Sequence, residues 1–264
     1  MTTADPPPLL EADEPSPAML ARADGGSDFV ICVDHAGRRI PRQLGDLGLA
    51  PEDLRRHITW DIGAWAVALR LAEKLDAALI GQAYSRLVID CNRDPRAPSA
   101  IPEVSEITVI PGNQNLSPAA ILARRRDVFE VYHSQLAALL DGRAALGRRT
   151  VLIALHSMTD VYMGVRRPMQ CAVLYNRDAR LARPLIEILR RDERLTVGEN
   201  APYDLSDETD YTIPRHGEGR GLAHVEFEMR QDLVRDEPGQ TEWADRLARA
   251  FFEADAARRK PAHA

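Results

Sequence analysis

The chain has 264 residues, of which 28% are charged, and 34 Lys and Arg against 40 Asp and Glu give a formal net charge of −6. That length can bury the core of one large α/β domain or of two small ones, and the acidic balance offers no basic face to nucleic acid. No apolar run approaches the roughly 20 residues of a membrane helix, and no basic segment followed by an apolar stretch opens the chain, so a cytoplasmic protein with no membrane partner is expected.

Residues 1–26, rich in Pro, Ala and acid, predict a flexible or draped N-terminal arm. The first strand candidate is 28–34 (DFVICVD), a β-branched apolar run that ends on Asp34 and His35. A helix is predicted over 63–76, where apolar residues recur at three and four. Strand candidates at 78–83 (ALIGQA) and 86–91 (RLVIDC) follow. Ser117-Pro118 is a good N-cap and first-turn pair for a long helix over 117–141. Strands are predicted at 150–155, 170–175 and 223–229, and helices at 179–192 and 241–258. This alternation predicts an α/β fold, with a mainly parallel or mixed central sheet and helices on both faces, in one domain over 27–264. The three cysteines, Cys32, Cys91 and Cys171, lie in or beside strand-like runs with no CxxC pair, as reduced and buried thiols do.

In such sheets ligands bind outside the carboxyl ends of the strands. The residues just after the predicted strands are Asp34 and His35; Asn92, Arg93 and Asp94; His156, Ser157 and Thr159; and Asn176 and Arg177. The last strand carries Glu226, Glu228 and Arg230. Two imidazoles, one carboxylate and a water form a usual catalytic zinc shell, and His35 and His156 both end apolar strands. Each could equally be a plain strand cap. Asp34 is weakened as the third ligand because adjacent strand residues point to opposite faces. Asp61 immediately precedes a helix and reads either as its N-cap or as a ligand.

Glu228 alternates with Val225 and Phe227, which suits a half-buried general base or an outward solvated strand face. "RHGEGRG" at 215–221 lacks the GK[ST] of a phosphate loop and reads as a mobile loop. Ser157 has no GxSxG elbow around it. The run Arg124–Arg126 reads as a solvated helix face, and Tyr132-His133 as half-buried packing.

"VDHAGRRIP", "WDIGAWAVA", "YSRLVIDCNRDP", "LHSMTDVYMGVRRP" and "HGEGRGLAHVEFEMRQDL" occur in the order found in the N-formylglutamate amidohydrolase family. The resemblance runs from about residue 28 to 235, and that family is similar in turn to zinc carboxypeptidases and the aspartoacylase group. It implies a zinc-carboxypeptidase-like α/β sheet and one Zn²⁺ per chain, other divalent metals being possible. The metal would sit on His35, Asp61 and His156, and the carboxypeptidase HxxE pattern is absent, since Arg38 stands where its acid would be. The resemblance also implies Glu228 as base and Asn92-Arg93 as the holder of a substrate carboxylate. Arg86 is the expected oxyanion partner, and Arg38, Arg167 or Arg230 the holder of a second carboxylate, with "RHGEGRG" as a lid. The implied reaction takes a small N-acyl amino acid, N-formyl-L-glutamate foremost, to formate and L-glutamate, as in histidine degradation. A deacylase or carboxypeptidase for another acyl group, or a carboxylate-binding protein without catalysis, are the alternatives.

Overall fold

The computed structural model describes residues 6–260. In chain order the elements are β1 (Ala18–Ala21), β2 (Phe29–Val33), α1 (Ala64–Leu75) and β3 (Ala78–Gln82), then a small hairpin of β4 (Val104–Ser105) and β5 (Thr108–Val109). Helices α2 (Pro118–Arg124) and α3 (Glu130–Ala145) precede β6 (Val151–Met158) and a second hairpin, β7 (Val161–Tyr162) and β8 (Val165–Arg166). Next come β9 (Cys171–Leu174), α4 (Ala182–Leu189), β10 (Val197–Glu199), β11 (Ala223–Arg230) and α5 (Glu237–Arg258).

Seven strands form one sheet in the order β1-β3-β2-β6-β11-β9-β10. The four central strands, β3, β2, β6 and β11, run parallel. β2 is apolar throughout, and β3 and β6 are apolar up to their carboxyl ends, because both faces are covered, as parallel strands require, whereas β11 alternates apolar residues with His224, Glu226, Glu228 and Arg230. Ile31, Val33, Ile153, Leu155, Val225 and Phe227 face one layer, made of α1, α4 and α5. Val30, Cys32, Leu152 and Ala154 face the other, where α3 contributes Tyr132 and Leu136. The expected mixed sheet with helices on both faces is what the chain forms.

The edges differ from the reading of the sequence. β1 lies within the predicted arm and pairs antiparallel with β3, while Tyr84 Oη donates to Pro15 O at 2.8 Å and Leu9 is buried. Residues 6–26 are thus draped along the sheet, and residues 1–5 of that arm lie outside the described residues. β9 runs antiparallel to β11, so Asn176 and Arg177 emerge at the opposite end of the sheet from His156. The predicted strand 86–91 is a series of turns instead. Ser85 Oγ donates to Thr59 O at 2.7 Å and accepts from Leu87 N at 3.1 Å, giving the backbone a local alternative to a ladder. Its apolar side chains also part company: Val88 and Ile89 join the sheet core, and Leu87 joins Leu47, Leu49 and Ile110.

The long predicted helix over 117–141 is present but interrupted by a π-helical turn at Arg125–Phe129. Arg124, read as part of a solvated face, is instead fully buried. Its guanidinium donates to Val88 O at 3.1 Å, to Asn113 Oδ1 at 2.6 Å and to Gly112 O at 2.9 Å. It therefore fastens α2 to the turn segment that carries Arg86, Asp90 and Asn92. Arg124→Met should destabilise the chain by about 3–5 kcal/mol, because three buried acceptors lose their donor. Arg125→Met, which removes only the half-exposed pair with Glu130, should cost less than about 1 kcal/mol. Urea unfolding of the two variants measures the difference.

Candidate active site

The sheet brings three strand ends together. β2 and β6 are neighbours, as are β6 and β11, and Glu228 pairs with His156 across the ladder. His35 follows β2, and its carbonyl accepts from Asp61 N at 3.0 Å. Asp61 does not cap α1: the N-cap is Gly63, with no side-chain bond. Gly63 has φ of 83°, and a Cβ there would stand 2.2 Å from Val234 O. Only glycine fits this turn, which leaves the Asp61 side chain free to point at the sheet end.

His35 Nδ1 and His156 Nδ1 lie 3.3 and 3.0 Å from the same oxygen, Asp61 Oδ2. The other nitrogens face carboxylates too. His35 Nε2 is 2.7 Å from Asp90 Oδ1, and His156 Nε2 is 3.4 Å from Asp34 Oδ2. An ionised carboxylate only accepts, and both nitrogens of each ring face one, so against burial the surrounding acids favour the protonated imidazoles; with the protons on Nε2, each Nδ1 presents a lone pair. Three acceptors then converge on one point in a buried site. Either protons or a metal ion must sit between them.

The donor set fits a metal. His35, Asp61 and His156 are all buried, and their ligand atoms lie within 4.8 Å of one another. Tetrahedral zinc with ligands at about 2.0–2.1 Å separates them by roughly 3.3 Å, close to the two measured Nδ1–Oδ2 distances. A carboxylate behind each ligating imidazole is also the usual support of such sites. Asp34 Oδ1 accepts from Tyr132 Oη at 2.7 Å. Asp90 is held by Arg86, whose Nε and Nη2 lie 3.1 and 2.7 Å from Oδ2.

The electrostatics reflect this concentration of acid. Burial pushes the Asp61 carboxyl up, but His35 and His156 more than offset it and hold it below the usual range. Burial also opposes ionisation of Asp34, yet the close approach and charge of His156 bring it to about 2. Glu228 has no such support. Burial raises its carboxyl to about 7, with the charge of Asp61 adding to the rise and His156 opposing it, and its Oε2 has no partner among the described residues. A carboxyl poised near neutrality beside a candidate metal site can take and return a proton.

These groups line a cleft of about 510 Å³. His35, Asp61, His156, Glu228, Arg86, Asn92 and Arg93 all border it. Other expected residues do not. Arg38 is exposed and stacks over Trp60 at 5.3 Å. Arg230 turns inward, donating to Asp232 Oδ1 at 2.8 Å and to Arg167 O at 3.1 Å. Arg167 lies behind the wall, with its guanidinium 5.2 and 4.8 Å from the rings of Tyr162 and Tyr203, which do line the cleft. Ser157 is committed, its Oγ donating to Ile62 O at 2.8 Å. The 215–221 loop, read as a lid, forms helical turns away from the cleft.

Asp90, Asp34 and Tyr132 are the participants that sequence reasoning left unassigned. An acid inside an apolar run, as in Val88-Ile89-Asp90-Cys91, is the available signal, since such a group is buried only with partners.

Fold and site together define a mixed α/β protein with a candidate metal-hydrolase centre at the carboxyl edge of its parallel strands. The family model described as N-formylglutamate amidohydrolase matches residues 27–235, and the chain belongs to that family of amidohydrolases. It is similar to the solved structure of gene product Atu2144 from Agrobacterium tumefaciens, at 35% identity and a TM-score of 0.92, covering 96% of this chain and 100% of that one. It is also similar in fold to an N-formylglutamate amidohydrolase from Ralstonia eutropha JMP134, at 21% identity and a TM-score of 0.66, covering 92% and 99%. None of the curated proteins compared with the chain matches it. Among the described residues, no helix is long and apolar enough to cross a membrane.

Proposed function

We propose that residues 27–264 act as one domain that hydrolyses the amide of a small N-acyl amino acid, with N-formyl-L-glutamate as the substrate and formate and L-glutamate as products. The observation that carries this reading is the convergence of His35 Nδ1, His156 Nδ1 and Asp61 Oδ2, each imidazole backed by its own carboxylate. These three residues would hold one Zn²⁺. When bound, the ion would lower the pKa of water and polarise the scissile carbonyl.

The chain's own residues then divide the remaining work. Glu228 takes a proton from the attacking water and returns it to the leaving nitrogen as the C–N bond breaks, so hydroxyl ends on formate and hydrogen on glutamate. Its desolvated carboxyl near neutrality suits both transfers. Arg86 borders the cleft, with Nη1 3.5 Å from Asp61 Oδ1, and supplies positive charge for the developing oxyanion. Arg93, whose Nη1 is held by Asn92 O and Thr209 O, presents the Nε and Nη2 edge of its guanidinium to a substrate carboxylate. Arg167, through Tyr203 at the cleft wall, is the best placed of the remaining cations for a second one.

Elemental analysis should find about one divalent metal per chain, with Asp61→Ala losing it. Asp34→Asn should retain metal with about 10–100-fold weaker affinity, the usual effect of removing a supporting carboxylate. A metal-free protein that Zn²⁺, Co²⁺ and Mn²⁺ all fail to activate overturns the metal assignment.

Glu228→Gln should lower kcat by about 10²–10⁴ while metal content and KM change little. Glu226→Gln should be milder, because the hydrogen bond Glu226 Oε2 accepts from Asn92 Nδ2 at 3.3 Å can be kept by an amide oxygen, and only the weaker charge contact to His156 Nε2 at 4.0 Å is lost. Reversal of the two effects would make Glu226 the base.

Arg93→Lys should raise KM for N-formyl-L-glutamate strongly and for its α-amide much less, because an ammonium cannot reproduce the guanidinium fork. Steady-state kinetics on both substrates, beside a screen of N-formyl, N-acetyl and N-succinyl amino acids, checks the assignment and the acyl group together.

A further inference from the structure

A second hollow of about 460 Å³ lies between α3 and the 211–220 segment. It is distinct from the cleft but shares its partition. Asn92, Arg93, Thr209 and Asp210 line the cleft, while Pro95, Tyr211, Arg215 and His216 line the hollow. Its inner wall is made of rings: Phe129 and Tyr211 meet edge to face at 5.0 Å, and His133 lies 4.7 Å from Tyr211.

His133 and His216 form a buried pair. His133 Nε2 donates to Cys91 O at 2.8 Å, so its Nδ1 must accept from His216 Nε2 at 3.0 Å. That leaves His216 Nδ1 a buried acceptor with no partner among the described residues. Burial holds both imidazoles neutral, at about 4 for His133 and about 3 for His216. The ring wall therefore adds no charge of its own.

Charge comes from three guanidiniums on the lining, Arg125, Arg215 and Arg220. Arg125 is paired with Glu130 and Arg220 with Asp141. Arg215 is exposed and has no ion pair among the described residues. One uncompensated cation beside an aromatic wall is complementary to one negative charge on an apolar or planar body.

We propose that this hollow is a second binding site, for a small organic carboxylate whose charged end meets Arg215 and whose body lies against Phe129, Tyr211 and the imidazole pair. Inorganic anions lack the body, and neutral analogues lack the charge. The site is independent of the metal and of the reaction assigned to the cleft.

The test is calorimetric titration of the full chain with benzoate, benzamide and inorganic phosphate, in the wild type, Arg215→Ala and Ser134→Phe. Ser134 is exposed on the α3 side of the lining, so its replacement fills the hollow without altering charge. Benzoate should bind the wild type at least about tenfold more tightly than benzamide or phosphate does, and each substitution should weaken it by about tenfold or more. Unchanged unfolding midpoints keep folding out of the comparison. Benzoate binding that survives both substitutions would place the carboxylate in the cleft and overturn the proposal. Equal affinity for benzamide, equal affinity for phosphate, or no binding at all would overturn it as well.

Discussion

The structure turns on one oxygen, Asp61 Oδ2, which faces two imidazole nitrogens at 3.0 and 3.3 Å inside a buried ring of acids. Asp34, Asp61, Asp90, Glu226 and Glu228 are all buried around these histidines, and Arg86 is the one guanidinium paired with two of them. Burying ionised groups costs several kcal/mol each unless partners compensate. The arrangement compensates by giving every acid except Glu228 a specific partner. Burial raises both glutamates of β11: Glu228 to about 7, and Glu226 well above the usual carboxylate range although His156 opposes the rise. Stabilised and destabilised carboxylates thus stand side by side, the usual physical basis for separating ligands from bases.

Strand order makes this possible. The residues that meet come from chain positions 34 to 228; Asp34, His35, His156, Glu226 and Glu228 lie on or directly after adjacent strands whose register is set by their apolar faces, and Asp61 and Asp90 reach in from turns. Cys32 pairs with Ala154, and Ala154 with Glu226. One more pleat along that face reaches Asp34, His156 and Glu228. A slip of one residue in any of the three strands would turn its polar end into the opposite core, where Ile153, Leu155 and Phe227 pack. The apolar packing of the lower strands therefore positions the chemistry above them.

Much of this was legible in the sequence, because apolar runs ending abruptly in His, Asp or Glu can be read without coordinates. The sheet, its helical layers and the meeting of His35 with His156 belong to that part, whereas the choice of Asp61 over an N-cap and of Glu228 as the base came from the family resemblance. What escaped depended on direction and partner choice. "RLVIDC" has the composition of a strand, but Ser85 bonds and a divided core bend it into turns. β9 carries a strand-like pattern that says nothing of its antiparallel course, so Asn176 and Arg177 lie at the far end. Arg124 sits in a run of three arginines, and only the tertiary acceptors Val88 O, Gly112 O and Asn113 Oδ1 make it a buried clip.

Asn92 shows how such partner choice bears on recognition. Its Oδ1 accepts from Tyr211 N and Thr212 N at 3.1 and 3.0 Å, and its Nδ2 donates to Asp210 Oδ1 and Glu226 Oε2 at 2.9 and 3.3 Å. An amide has two donor hydrogens and two acceptor lone pairs, so all four are used within the chain. A substrate carboxylate that took the Asn92 donor from the buried Glu226 would leave that acceptor without its hydrogen bond, a loss of about 1–3 kcal/mol, whereas Asp210 keeps Thr209 Oγ1 and Ser206 N as donors. Arg93 is different: Nη1 is held by Asn92 O at 3.0 Å and by Thr209 O, while its side chain remains 28% exposed. Asn92 is thus fully bonded within the chain, whereas Arg93 keeps part of its guanidinium open to the cleft. The same amide ties β11 to the 209–212 segment through Glu226, Asp210, Tyr211 and Thr212, so the position of that segment and the setting of Glu226 beside Glu228 are mechanically one.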